Sequence, residues 1–272
     1  MRRLAAIALL VALLAACATA GRATGAPDDL RVLVFNIFAG KDTAGVSNLE
    51  RVAALMRSTD ADIALLQEVD SVTRRSGGVD QPAVLASLTG YHAAFGSSLD
   101  YQGGEYGIAI LSRWPIVRDT MVSLPISPPQ ERAGGSYEPR GALIVEIDAS
   151  GRRLVVINTH LDASGEDHYR RQELATLVRL AGQELVAGTT LLIGGDFNSR
   201  PESEVIRRAT SSGWRDLWAE CDAPGEGNTY PAHAPVRRID YLFAATSATC
   251  REARTVGAGI SDHLGLLIVV RP

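Results

Sequence analysis

The chain has 272 residues, 46% of them hydrophobic and 21% charged, with a formal net charge of −4. That length allows one large domain or two small ones with a sizeable core, and the composition is ordinary for a soluble globular protein. The acidic balance argues against broad, non-specific nucleic-acid binding, which depends on basic surface. Arg2 and Arg3 precede an apolar run from Leu4 to Leu14, then Ala15-Ala16-Cys17. This is the pattern of an export signal, and the run falls short of the ~20 residues that span a bilayer. Leu14-Ala15-Ala16-Cys17 also resembles the bacterial lipobox. That resemblance implies cleavage after residue 16, lipid modification of Cys17 and, because Ala18 follows, sorting to the periplasmic face of the outer membrane. Loss of residues 1–16 removes two arginines and takes the charge from −4 to −6. Residues 17–29 then form the lipidated cysteine and a flexible tether, and residues 30–272 the folded domain.

Leu30 to Phe35 reads as a strand that delivers Asn36. Ser47 and Glu50 form a capping-box pattern ahead of Leu49, Val52, Ala53 and Met56 at helical spacing. Asp62 to Leu66 is a short apolar strand that delivers Gln67-Glu68. Arg74 to Gln81 is a polar loop, and Pro82 to Leu88 a helix closed by Gly90. Tyr106 to Ser112 and Pro115 to Val122 read as successive strands. Residues 123–139 hold Pro125, Pro128, Pro129, Pro139 and Gly134-Gly135, a loop placed to border a substrate site. Gly141 to Ile147 and Arg153 to Ile157 form a hairpin pattern that ends in Asn158-Thr159-His160-Leu161. Tyr169 to Ala181 is an amphipathic helix with Gly182 as its stop.

Thr189 to Ile193 is a buried strand that runs into Gly194-Gly195-Asp196-Phe197-Asn198. Glu202 to Ala209 reads as a short helix, and Arg238 to Phe243 as a strand carrying Asp240. Ser261-Asp262-His263 precedes the last strand, Leu264 to Val270. Strands and helices alternate without one strict order, which predicts a mixed-sheet α/β domain. Cys221 and Cys250 leave two readings open, a disulfide or two buried thiols.

Six strand ends thus carry Asn36, Glu68, His160, Asp196 with Asn198, Asp240, and Asp262 with His263. Singly, each suits a cap or a turn. Together they form a set of carboxylates, amides and imidazoles at loop ends, where one sheet edge can gather them. No cysteine cluster or HExxH accompanies them, so the donors suit a hard, oxygen-seeking cation such as Mg²⁺. The absence of a GxSxG elbow or P-loop weakens serine-hydrolase and nucleotide-triphosphatase readings.

In this order, Asn36, Gln67-Glu68, Asn158-Thr159-His160-Leu161, Gly195-Asp196-Phe197-Asn198, Arg238-Ile239-Asp240-Tyr241 and Ser261-Asp262-His263 resemble the endonuclease/exonuclease/phosphatase superfamily, from about Leu30 to Val270. The resemblance implies an α/β (α+β) four-layer sandwich, with two packed mixed β-sheets and helices on both outer faces. It implies that Glu68, Asn36 and Asp262 hold Mg²⁺, with Mn²⁺ or Ca²⁺ as substitutes. By the same resemblance Asp196 would activate water, Asn198 would help hold water and phosphate, and His160 and His263 would donate to phosphate oxygens. The resemblance likewise implies that Asp240 orients His263 and that Arg140 lies near the phosphate. Tyr106 and the Arg74–Gln81 loop are placed to shape the substrate pocket, with packing the stronger reading for Tyr106. The expected activity is hydrolysis of a phosphodiester or phosphomonoester in a phospholipid head group, nucleic acid or small phosphodiester. The membrane partner is reached through the N-terminal lipid, and no protein partner is evident. The rival readings are a non-specific extracytoplasmic endonuclease and a catalytically silent binding module.

Overall fold

In the computed structural model, residues 28–128 and 138–272 are described. The expected leader, Cys17, the tether to residue 27 and the centre of the proline-rich segment lie outside them. The chain runs through β1 (Leu30–Asn36), α1 (Leu49–Ser58), β2 (Ile63–Ser71), α2 (Gln81–Thr89), β3 (His92–Tyr101) and β4 (Gly104–Ser112). It continues through β5 (Ile116–Leu124), β6 (Arg140–Ala149), β7 (Arg152–His160), α3 (His168–Glu184), β8 (Thr190–Asp196) and α4 (Glu204–Ser211). Then come β9 (Arg215–Asp216), the one-turn α5 (Leu217–Glu220), β10 (Asp240–Ala244), β11 (Thr249–Val256) and β12 (Gly265–Arg271).

Two six-stranded sheets result, in the orders β11-β12-β1-β2-β4-β3 and β5-β6-β7-β8-β10-β9. Their inner faces meet in one core, where Val32, Val34, Leu65 and Ile110 pack with Leu143, Val156, Leu192 and Leu242. The alternate residues face outward. Leu33, Phe35 and Leu66 join Val52 and Met56 of α1 on one side. Ile157, Leu191 and Ile193 join Leu174 and Leu177 of α3 on the other. A strand buried on both faces reads as a continuous apolar run, which is why β1, β2 and β8 stand out in the sequence. The result is the expected four-layer sandwich.

The topology explains why the polar strand ends meet. In each sheet one central pair is parallel and bridged by a helix: β1-α1-β2 and β7-α3-β8. Parallel strands finish at the same edge, and Asn36 sits opposite Gln67 as His160 sits opposite Asp196. The flanking strands run antiparallel, so they begin where the parallel ones end. Asp240 opens β10 opposite Asp196, Asp262-His263 leads into β12, and Arg140 opens β6. The two sheets are tied together beneath this edge by buried amides. Gln67 Nε2 donates to Asn158 Oδ1 at 2.7 Å, and Asn158 Nδ2 donates to the carbonyls of Leu66 and Ala109, each at 2.9 Å.

Several local expectations need correction. The Ser47–Glu50 capping box does not form, because the N-cap of α1 is Asn48, which makes no side-chain cap hydrogen bond. Asn48 Nδ2 instead donates to the carbonyls of Ile37, Lys41 and Ile260. Gly182 does not stop α3, which runs on to Glu184. β3 and β11 lie at sheet edges and were not expected at all. Their mixed exposure erases the alternation that marks a half-buried strand. Cys221 and Cys250 are joined as a disulfide with Cα atoms 5.4 Å apart, which decides between the two readings left open.

Candidate active site

A cleft of about 490 Å³ opens at the shared strand edge. Glu68, Arg140, His160, Asp196, Asn198, Asp262 and His263 all line it. Asn36 and Asp240 lie just behind, fully buried and hydrogen-bonded to lining residues. Every expected site residue except Cys17 is therefore gathered in one place.

Local backbone distortion aims three of these groups. Glu68 occupies a bulge in β2, where the register with β4 shifts between Leu66 and Val69, and its φ is +54°. An extra residue in one strand breaks the in–out alternation, so Glu68 is turned into the cleft while Gln67 stays in the core. Asn198 adopts φ +47°, a conformation asparagine tolerates better than most residues. At Gly195 φ is +138°, and a Cβ there would lie 1.9 Å from the Thr159 carbonyl oxygen. Glycine is thus required for β8 to reach its register beside β7 and set Asp196 next to His160.

Asp196 is the hub. Its Oδ2 lies 3.2 Å from Asn36 Nδ2 and 3.7 Å from Nε2 of both His160 and His263, and its Oδ1 accepts the Asn198 backbone N–H at 2.9 Å. Burial, and next the neighbouring Asp240 carboxylate, raise its pKa above the usual range. A carboxylate raised in this way is a better proton acceptor than a solvated one.

The two histidines are set up differently. Asn198 Nδ2 donates to the Leu161 carbonyl at 3.0 Å and lies 3.1 Å from His160 Nε2. Arg140 Nη1 lies 3.1 Å from Nδ1. Burial foremost, then the charges of Arg140 and His263, hold the His160 pKa well below the usual value, so the ring is neutral. On His263, burial opposes charge, but the Asp240 carboxylate 2.9 Å from Nδ1 outweighs it and brings the pKa to about 10. His263 is therefore an imidazolium whose Nε2–H faces Asp196, with its ring orientation fixed by Asp240 at Nδ1.

Oxygen donors for a cation are also present. The Glu68 carboxylate accepts from Asn36 Nδ2 at 3.1 Å; burial raises its pKa, and so does the nearby Asp262 carboxylate. Two like charges in a recess fit a hard divalent ion, whose charge relieves their repulsion. Separately, Asp196, Asp240 and His263 each offer a ligand atom within 4.8 Å of one another, a grouping that also suits a divalent metal.

Tyr101, Ala163, Tyr230 and Arg237 line the cleft but escape the sequence reading, whereas Arg75 and Glu138 belong to the two loops expected to border the site. None of those first four directly follows an apolar strand, so the signal that exposes the others is missing. Tyr106 packs as expected but also forms part of the wall.

The turn after His160 is pinned from α3. Glu173 Oε2 accepts the Asp162 N–H at 2.9 Å, and Arg170 Nη1 donates to the carbonyls of Asp162 and Ser164. Burial pushes the Glu173 carboxyl from 4.5 up to about 7. Between those values the folded chain holds the proton more tightly than the unfolded chain, so this group's contribution to stability falls as pH rises through about 7. Glu173→Gln should remove that limb. Urea titrations from pH 4 to 8 should show wild type losing up to about 3 kcal/mol that the variant keeps. Parallel curves would refute the assignment.

A model of the Endonuclease/Exonuclease/phosphatase family matches residues 33–263. The chain is 26% identical over 228 residues to YbhP of Escherichia coli K12, an uncharacterized protein, covering 78% of this chain and 83% of that one. An endonuclease/exonuclease/phosphatase from Beutenbergia cavernae DSM 12333 superposes with a TM-score of 0.74 at 27% identity, covering 90% of this chain and 72% of the other. The mannosyl-6-phosphatase Bt3783 of Bacteroides thetaiotaomicron shares the fold with a TM-score of 0.71 at 17% identity, over 89% of this chain and 99% of its own. The family match takes in every polar strand end from Asn36 to His263, so the chain belongs to the Endonuclease/Exonuclease/phosphatase family and is a metal-dependent hydrolase of phosphate esters.

Proposed function

We propose that the protein is an exported, membrane-anchored phosphodiesterase that uses Mg²⁺ and water. The observation that carries this reading is the placement of Asp196, a poised acceptor, between a neutral His160 and a charged His263 at one cleft edge. Glu68 and Asp262, with Asn36 beside Glu68, are the residues proposed to hold the cation. Asp240 is committed to His263 Nδ1, which favours Glu68 over the Asp196–Asp240–His263 grouping as the resident site. A divalent ion held by these residues would supply charge neutralisation for the phosphate.

The chain's own groups do the rest. Asp196 takes the proton of the attacking water through Oδ2. The Asn198 amide, held by the Leu161 carbonyl, orients water and phosphate. His263 donates from Nε2 to an oxygen on which charge grows in the transition state, and Arg140 and His160 complete the phosphate cradle. The cleft carries Glu68, Glu138, Asp196 and Asp262, so a singly charged diester meets less repulsion than a doubly charged monoester.

The leader pattern through Leu14-Ala15-Ala16-Cys17 supports export and anchoring at the periplasmic face of the outer membrane. The Cys221–Cys250 disulfide is compatible with an oxidising compartment. Hydrolysis of bis(p-nitrophenyl) phosphate tests the enzymatic reading. Activity should be present with Mg²⁺, lost in EDTA and restored by excess Mg²⁺. Equal rates with and without the chelator would sink it.

A further inference from the structure

One peptide unit, Leu161–Asp162, joins the cleft to the helix behind it. A trans peptide is planar, and its C=O and N–H point in opposite directions. On the cleft side the Leu161 carbonyl accepts from Asn198 Nδ2 at 3.0 Å. On the other side the Asp162 N–H donates to Glu173 Oε2 at 2.9 Å. Glu173 and the Asn198 amide therefore grip opposite edges of the same plane, and any turn of that plane disturbs both bonds.

The surrounding bonds fix where the plane lies. The Leu161 N–H donates to the Asp196 carbonyl at 2.9 Å, which ties it to β8. Arg170 Nη1 donates to the carbonyls of Asp162 at 2.9 Å and Ser164 at 2.5 Å. Arg170 and Glu173 stand three residues apart on α3, so both reach the turn from one helix face. Glu173 is 1% exposed. Helix packing gains nothing from a carboxyl at that depth, where loss of solvent costs stability. What the carboxyl supplies there is an acceptor.

Asn198 is the residue that needs this support. It lines the cleft at a φ of +47°, and its Nδ2 lies 3.1 Å from His160 Nε2 as well as near the Leu161 carbonyl. The side-chain amide is planar, so fixing the direction of its NH₂ also fixes the direction of its oxygen. We infer that Glu173 is a positioning residue for hydrolysis, holding the Asn198 amide in its working orientation through the Leu161–Asp162 peptide. This rests on the phosphoesterase reading, in which Asn198 orients water and phosphate. A carboxylate, a protonated carboxyl and a glutamine amide all offer an oxygen to the Asp162 N–H, whereas leucine offers none.

Steady-state kinetics on bis(p-nitrophenyl) phosphate with Mg²⁺ test it. Glu173→Leu should lower kcat about ten- to a hundredfold, the scale of a small misplacement near the reacting atoms, with KM within about threefold of wild type. Glu173→Gln should keep kcat within about threefold, because its oxygen still accepts. In an Asn198→Ala background Glu173→Leu should add almost nothing, since the amide it orients is gone. An unchanged kcat in Glu173→Leu, a loss that multiplies fully with that of Asn198→Ala, or a Glu173→Gln as impaired as Glu173→Leu would overturn the inference. Should Glu173→Leu fail to fold, Glu173→Asp takes its place, keeping the charge but drawing the acceptor back by one methylene. If wild type shows no Mg²⁺-dependent hydrolysis, the phosphoesterase reading fails instead. The NMR resonances of the Asn198 side-chain NH₂ then still decide the role of Glu173. They should shift in Glu173→Asp and stay in place in Glu173→Gln; no shift in the first, or an equal shift in the second, would overturn it.

Discussion

Replacing Asp196 by asparagine should lower kcat on bis(p-nitrophenyl) phosphate by about 10³- to 10⁴-fold, at the upper end of what a positioned general base contributes. The substitution is nearly isosteric, and its carbonyl oxygen can still accept the Asn198 N–H that Oδ1 accepts now. What changes is Oδ2, which faces Asn36 Nδ2 and the Nε2 atoms of His160 and His263. An amide NH₂ there accepts no proton and points donors at donors. The fold should hold, because the β8 register is fixed by backbone pairing from His160–Asp196 back to Leu154–Thr190. Kinetics should be run beside a thermal melt. Loss of activity at an unchanged Tm is the expected result, and activity within tenfold of wild type would remove Asp196 from the centre of the mechanism.

The site is legible in the sequence for a reason that the topology makes plain. Asn36, His160 and Asp196 each follow an apolar run and end a parallel strand, and these strands stop at one edge, which Glu68 reaches from the bulge inside β2. A polar residue straight after a doubly buried strand has its position set by the sheet, so linear order carries three-dimensional information. Where position depends on a departure from the ladder, the sequence is silent. The bulge that turns Glu68 outward has no residue signature, since a glutamate at φ +54° is an exception to local preference. Tyr230 and Arg237 belong to a segment whose hydrogen bonds run to its own backbone and to the His263 loop, with no periodicity to read. The edge strands β3 and β11 are hidden because each packs on one side only and mixes exposed with buried positions. Asn48 shows the opposite failure: the local capping pattern is present, but three distant carbonyls compete for the amide and win. The disulfide pairs residues 29 apart, a separation that sequence alone leaves undetermined.

His263→Ala should lower kcat by about 10²- to 10³-fold, as expected for loss of a charged donor aimed at developing negative charge. Asp240→Asn should cost less, and the double variant should be no worse than His263→Ala alone. Asp240 is fully buried and its Oδ2 lies 2.9 Å from His263 Nδ1. Its charge and hydrogen bond are what outweigh burial and keep His263 protonated, with a pKa near 10. If that is its whole task, removing it matters only while the imidazole is present, and the two losses do not multiply. In Asp240→Asn the alkaline limb of the kcat profile should also move to lower pH, because the folded-state pKa of His263 falls when its carboxylate partner is neutralised. The same cycle separates the two ways in which Asp196, Asp240 and His263 can work. Were Asp240 a ligand of a metal within that grouping, Asp240→Asn would weaken Mg²⁺ binding even in the His263→Ala background, and the losses would multiply. Non-additive losses with an unchanged Mg²⁺ dependence assign Asp240 to His263 and leave the cation to Glu68 and its neighbours.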